Sequence, residues 1–185
     1  SRPWTGAAGD GYRMAQEMGH TIIKLRPGLV PLVVEESELA KGMMGASLRN
    51  VRLTAFQCCA ADIDTELVPS YNSGRGLSGK KPKLPVIESR QGDAIITHFG
   101  LSGPIALEMS LSIVDALADG PVSVSLDLNP EMTEKQLNIQ MQQEFETHSK
   151  RTIPLVLKSF IVPKLVEPFL NLTSISPEKT GSEIS

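Results

Sequence analysis

Apolar and polar positions alternate most cleanly along Val122-Ser123-Val124-Ser125-Leu126-Asp127-Leu128, and that period of two predicts a strand. A second alternation, Val51, Leu53 and Ala55 against Arg52 and Thr54, predicts a strand from Leu48 to Phe56. Ala94-Ile95-Ile96 is a short continuous apolar run, which suits a buried strand. Val86-Ile87-Glu88 precedes it, and Ser89-Arg90-Gln91-Gly92-Asp93 between them has the length of a hairpin loop. Thr21 to Leu25 and Leu29 to Val34 are strand candidates around an Arg26-Pro27-Gly28 turn, with Pro31 placing the second at an edge or a bulge. Ile63 to Val68 is one more. So many short strands with turn signals predict a small antiparallel sheet or barrel.

Helical periodicity takes over elsewhere. Gly9-Asp10-Gly11-Tyr12 opens a short helix with Met14, Ala15 and Met18 on one side, and Gly19 stops it. Ile105 to Ala118 reads as a helix with Leu107, Leu111, Val114 and Leu117 on its apolar face, ended by Gly120-Pro121. After the Asn129-Pro130 break, Thr133-Glu134-Lys135-Gln136 fits a capping box, worth about 1 kcal/mol. The helix it starts carries Leu137, Met141 and Phe145 on one stripe. From Ile153 to Leu170 the chain is apolar and helical in tone, but Pro154, Pro163 and Pro168 cut it into short pieces. The polar residues from Thr173 onward read as a frayed tail. The fold class is α+β: a β-rich part over 21–128, a small antiparallel sheet or barrel, followed by a partial helical subdomain over 129–185.

Composition narrows the classes. The chain has 185 residues, 41% of them hydrophobic, and a net charge of −3, which describes a soluble globular protein with one sizeable core or two small ones. It does not describe a nucleic-acid binder. Lys80, Lys81 and Lys83 lie beside Gly and Pro and read as a solvated loop. No apolar run is long enough to span a bilayer, and no secretory signal opens the chain. Cys58 and Cys59 are adjacent, a geometry that strains a disulfide, and they lack Cys-x-x-Cys spacing. They read as buried or half-buried free thiols in a reducing cytoplasm. With three histidines, a histidine-rich metal site is excluded and no metal is expected. His148 reads as solvent-exposed late in a polar helix, His20 follows a helix-ending glycine, and Glu35, Glu36 and Glu38 read as a solvated turn.

The candidate chemistry gathers in Gly92 to Pro104. An apolar strand runs into a glycine-flanked turn and then into a helix, with Gly100 and Gly103 easing the backbone and Pro104 in the first helical turn. Ser102 is then the N-cap, and Thr97 and His98 stand at the mouth beside free backbone N–H groups. Such a corner binds a phosphate, a carboxylate or another electron-rich group, or is an ordinary structural device. Gly100-Leu101-Ser102-Gly103-Pro104 is not a nucleophile elbow, because Pro104 replaces the last glycine and no Asp and His follow convincingly.

Thr97-His98-Phe99-Gly100-Leu101-Ser102-Gly103-Pro104 closely resembles the signature of the bacterial YhiN/BaiN-type flavoproteins, NAD(P)/FAD-dependent oxidoreductases. Thr5-Gly6-Ala7-Ala8-Gly9-Asp10-Gly11-Tyr12 with Gly19-His20-Thr21-Ile22 is similar to a second family segment, and Arg26-Pro27-Gly28-Leu29-Val30-Pro31-Leu32 to a third. The resemblance is clearest over 3–34 and 92–128. It departs at Arg2, where relatives show an aromatic residue, and at Ala7-Ala8, where they show Ser-Thr.

The resemblance implies an excised insert of a larger flavoprotein. Residues 1–20 would be a remnant of the FAD-binding domain, whose Gly-x-Gly-x-x-Gly turn lies upstream, and the chain would stop inside the helical insert. Gly74-Arg75-Gly76-Leu77-Ser78-Gly79 is not that turn, because no strand precedes it and no helix follows. The implied catalytic residue is His98. The implied flavin contacts are Thr97, Gly100, Ser102 and Gly103 in the loop and Asp10, Gly11 and Tyr12 at the domain junction. The partners would be the rest of the flavin-binding domain and a small-molecule substrate, with no nucleic acid and no membrane, in the cytoplasm. FAD would belong to the parent protein, and the isolated chain, without the phosphate-binding turn, would be silent. The competing class is a self-contained anion- or peptide-binding module using the turn before Pro104.

Overall fold

The structure is a computed structural model that describes residues 9–63 and 85–183. In chain order the elements are α1 (Asp10–Glu17), β1 (Leu32–Val33), α2 (Ser37–Gly42), β2 (Ser47–Phe56), β3 (Val86–Thr97), β4 (Gly100–Ser102), α3 (Pro104–Ala116), β5 (Ser123–Asp127), α4 (Glu134–Thr147), α5 (Ile153–Leu157) and α6 (Pro163–Thr173). The expected strand at Ile63 to Val68, the lysine loop and the glycine-rich run at 74–79 lie outside the described residues.

The five strands form one antiparallel sheet in the order β1-β4-β3-β2-β5, curled into a half-barrel. The α+β expectation holds. Its centre is the long pairing of β2 with β3, and both strands are bent by an extra residue. Leu48 faces Ala94 while Val51 faces Gly92, so β2 carries one residue more than β3 there, and Asn50 takes a φ of +51°. The Asn50 N–H donates to Asp93 Oδ1 at 3.0 Å, closing the bulge with a side chain.

That bulge corrects the expected break between Val86 and Ile96. Ser89 to Asp93 is not a loop: β3 runs unbroken for 12 residues, because β2 supplies ladder partners between Val86 and Ile95 and β4 pairs with its last three residues. Thr21 to Leu25 is not a strand either, and of Leu29 to Val34 only Leu32 and Val33 pair, with Leu101 and Gly100. The rest of that segment runs as an irregular strap, and Pro31 has no N–H to give a ladder.

The first core lies between the sheet and α3. Leu48, Val51, Leu53, Ala94, Ile96 and Leu101 from the strands meet Ile105, Ala106, Met109 and Ile113 from the helix. The helix therefore buries a different face from the one its leucines suggested: Leu111 and Leu117 are exposed. α3 is apolar almost all round, so periodicity alone does not choose the side. A second core joins Ile153, Leu157, Val166 and Leu170 to Met141 and Phe145 of α4. Adjacent Leu165 and Val166 on α6 enter the first and second cores respectively, so α6 is the joint between them.

The capping box forms as expected: Thr133 Oγ1 accepts from the Gln136 N–H, and the Gln136 side chain accepts from the Thr133 N–H. Pro154 and Pro163 sit in the first turns of α5 and α6, where a missing N–H costs nothing. Pro168 does not cut the chain; α6 continues through it. The tail is not frayed over its described length. Ile153 N–H donates to Lys179 O at 3.0 Å, Gly181 N–H to Arg151 O at 3.2 Å, and Gly181 is buried against Phe145. Among the described residues no helix is long and apolar enough to cross a membrane.

Candidate functional site: the β3–β4 hairpin

The signature stretch folds as a hairpin followed by a helix. Thr97 pairs with Gly100, His98 and Phe99 form the tip, and β4 leads through Gly103 into α3. Ser102 belongs to β4, opposite Ile95, and makes no capping bond; the N-cap position falls to Gly103. The expected mouth, with Thr97 and His98 beside the helix amides, does not form. A three-residue strand separates the tip from the helix, because Leu101 is drawn into the core between β1 and β3.

Close packing explains both glycines. A Cβ on Gly100 would overlap the Leu32 carbonyl oxygen on β1, and one on Gly103 would stand 2.9 Å from Ala94 Cα. These contacts press β4 between its neighbours and seat the start of α3 on β3. The tip is held on both sides. Val34 N–H donates to Phe99 O at 3.0 Å, Gly45 N–H to Ile96 O at 2.8 Å, and Ile96 N–H to Ala46 O at 3.0 Å. Thr97 is spent inside the turn: its hydroxyl donates to Gly100 O at 3.2 Å and accepts from Phe99 N–H at 3.4 Å.

His98 is what this frame presents. It is exposed at the tip, with its ring edge-on to Phe99 at 4.8 Å between centroids. It has no hydrogen-bond partner among the described residues, and neither does the half-buried hydroxyl of Ser102. An imidazole and a hydroxyl suit the polar edge of a planar ring or a small substrate. They do not make a cradle for phosphates.

The second candidate group stands elsewhere. Asp10, Gly11 and Tyr12 lie in the first turn of α1, a helix that buries none of its residues. Asp10 pairs with Arg13 on its own helix, and among the described residues no hydrogen bond or ion pair joins α1 to the hairpin. An open groove of about 520 Å³ lies on α4, lined by Gln136, Ile139, Gln140, Gln143, Glu144 and Thr147, none of them a candidate residue. No group of three or more metal-ligating side chains occurs among the described residues. His148 is half-buried rather than exposed, at 3.5 Å from Glu144.

Polar features that the linear pattern hid lie on the other end of the sheet. Glu88 and Arg90 alternate along β3 and meet as an ion pair that Glu108 of α3 extends, with 2.7 Å from Arg90 Nη1. Burial raises the Glu88 carboxyl, but hydrogen bonds from Ser112 and Arg90 and the Arg90 charge outweigh it and hold the group below its ordinary value. Buried Ser110 bridges α3 to the strap, donating to Leu107 O at 2.7 Å and accepting from Val30 N–H at 3.2 Å. Cys59 is exposed, not buried, and Cys58 is half-buried; both are free thiols.

Comparison with known proteins agrees with the hairpin's sequence. Residues 72–185 match the family described as HI0933-like protein barrel and H2TH domain, a range that takes in β3 to β5 and α3 to α6. The chain is similar to a 3-dehydro-bile acid delta(4,6)-reductase of Clostridium scindens, at 27% identity over 184 residues. That match covers 97% of this chain, which spans only 37% of the relative's length. The chain belongs to the HI0933-like family, the YhiN/BaiN-type flavoproteins.

Proposed function

We propose that this chain is the insert region of an FAD-dependent oxidoreductase, roofing the flavin and shaping access for a small-molecule substrate. Residues 1–20 belong to the flavin-binding domain, 21–128 to the β-rich subdomain and 129–185 to the helical one. Family membership supports this reading, as does similarity to a reductase of which the chain spans 37%. The observation that carries it is His98, an exposed imidazole without a hydrogen-bond partner among the described residues, on a tip braced from two sides.

The residues present do not fit a whole FAD. Thr97 is engaged within the turn, Gly100 and Gly103 face neighbouring backbone, and Asp10 is paired on its own helix. They fit one edge of a flavin ring, which His98 and Ser102 would contact. The phosphates would be held by the rest of the protein, so the chain alone binds no FAD and is inactive. When bound, the flavin supplies the redox chemistry, with NAD(P)H or a substrate as electron donor. The protein's place is the cytoplasm.

The test is His98→Ala in the full-length protein, read by turnover and by the flavin absorption spectrum. Loss of a positioned acid–base or hydrogen-bonding imidazole lowers turnover by roughly 100-fold or more. Unchanged turnover and spectrum would return His98 to a surface turn residue. Separately, gel filtration of the 185-residue chain with FAD should separate the two; co-elution would contradict the insert reading.

A further inference from the structure

The hairpin tip does not hold its own shape. His98 and Phe99 are its two residues, and neither takes the positive φ that common two-residue hairpin turns use. The bracing comes from beyond the tip and falls on Phe99. Its carbonyl oxygen accepts from Val34 N–H at 3.0 Å, and its own N–H donates to Thr97 Oγ1 at 3.4 Å. The phenyl ring is half-buried but belongs to neither hydrophobic core. It meets His98 edge-on, at 4.8 Å between centroids and 79° between planes. That geometry is one of the favoured arrangements of an aromatic pair.

We propose that Phe99 is the positioning residue of His98: its ring, fixed through its own backbone, holds the imidazole in one orientation at the tip. A histidine that exchanges a proton or a hydrogen bond with a ligand is ordinarily oriented by a hydrogen bond on its second ring nitrogen. His98 has none among the described residues, which leaves both nitrogens for a ligand and the orientation to the phenyl contact. An unanchored imidazole on an exposed tip spreads over several rotamers, each with its nitrogens in a different place. The edge-on contact selects among them, by up to about tenfold for contacts of this class. Thr97, the other neighbour, does not serve, because its hydroxyl is engaged with Gly100 O and Phe99 N–H. The inference rests on the reading of His98 as the residue that contacts flavin or substrate, and adds what orients it.

Two measurements test it, one of them blind to activity. In NMR spectra of the 185-residue chain, the carbon-bound imidazole protons of His98, assigned by their loss in His98→Ala, feel the ring current of Phe99. Phe99→Leu should move them, and Phe99→Tyr, which keeps a ring, should leave them near the wild-type position. Signals unmoved by Phe99→Leu overturn the proposal. In the full-length protein, Phe99→Leu should lower kcat about 3- to 10-fold with KM within about twofold, and Phe99→Tyr should recover most of the loss. Its melting temperature should stay within a few degrees of wild type, since the ring lies outside both cores. In a His98→Ala background, Phe99→Leu should cost nothing further, because its effect runs through the imidazole. A full further loss there, or equal losses in the Leu and Tyr variants, would give Phe99 a role of its own and overturn positioning. Unchanged turnover in His98→Ala would sink the functional reading instead, and the proton shifts would still decide whether Phe99 orients the ring.

Discussion

Gly103 rests against the backbone of Ala94, so closely that a side-chain carbon there would stand 2.9 Å from the Ala94 Cα and 3.0 Å from Ile95 N. This contact, with the parallel one between Gly100 and Leu32, turns a strand, a two-residue tip and a helix into one rigid piece. The signature glycines are therefore packing positions of the scaffold whose tip carries His98.

Gly103→Ala should destabilise the fold by about 2–4 kcal/mol, since it adds a backbone clash to a φ of +92° that L-residues rarely adopt. Urea unfolding measures it. A midpoint equal to wild type would show that β3 and α3 can move apart at no cost, against the packing described.

Met109→Ala and Leu111→Ala separate the two faces of α3. Met109 is fully buried, and its loss should cost about 2–5 kcal/mol. Leu111 keeps 39% of its surface exposed in this chain, and the same truncation should cost less, about 1 kcal/mol. Equal costs in thermal or urea unfolding would mean that α3 sits rotated from the face seen here.

The Glu88 carboxyl sets a pH dependence. Its folded pKa lies below the unfolded one, so its contribution is fully present above the ordinary carboxylate value of 4.5 and is lost as pH falls through the folded value. Glu88→Gln should flatten the acid side of the stability–pH curve and lower stability at neutral pH. A Gln variant with an unchanged curve below pH 5 would remove Glu88 from the acid transition.

The adjacent thiols should differ in reactivity. Burial first, then the neighbouring Asp62 and Cys59, push the Cys58 thiol up, which leaves little thiolate at neutral pH. Cys59 is exposed, so iodoacetamide at pH 7.5 should modify it well before Cys58, as peptide mass spectrometry would show. Faster modification of Cys58 would contradict the burial described for that bend.

The sequence by itself determined the elements whose cause is local. Alternation gave β5 and most of β2, the Thr133–Gln136 pair gave the start of α4, and the breaks expected at Pro154 and Pro163 fall where α5 and α6 begin. The signature motif was legible because its residue types are constrained at fixed spacing. Three things were decided only by tertiary structure. Gln91, Gly92 and Asp93 look like a turn but are strand, because β2 offers a partner and an Asn50 bulge absorbs the mismatch. α3 is apolar on both sides, and only the sheet selects Met109 over Leu111. The distance between the hairpin tip and the helix start depends on Leu101 being pulled into the core, a contact with β1 and β3 that no window along the chain contains. Local propensity fixes what a segment can become, while long-range pairing and burial fix which side it shows.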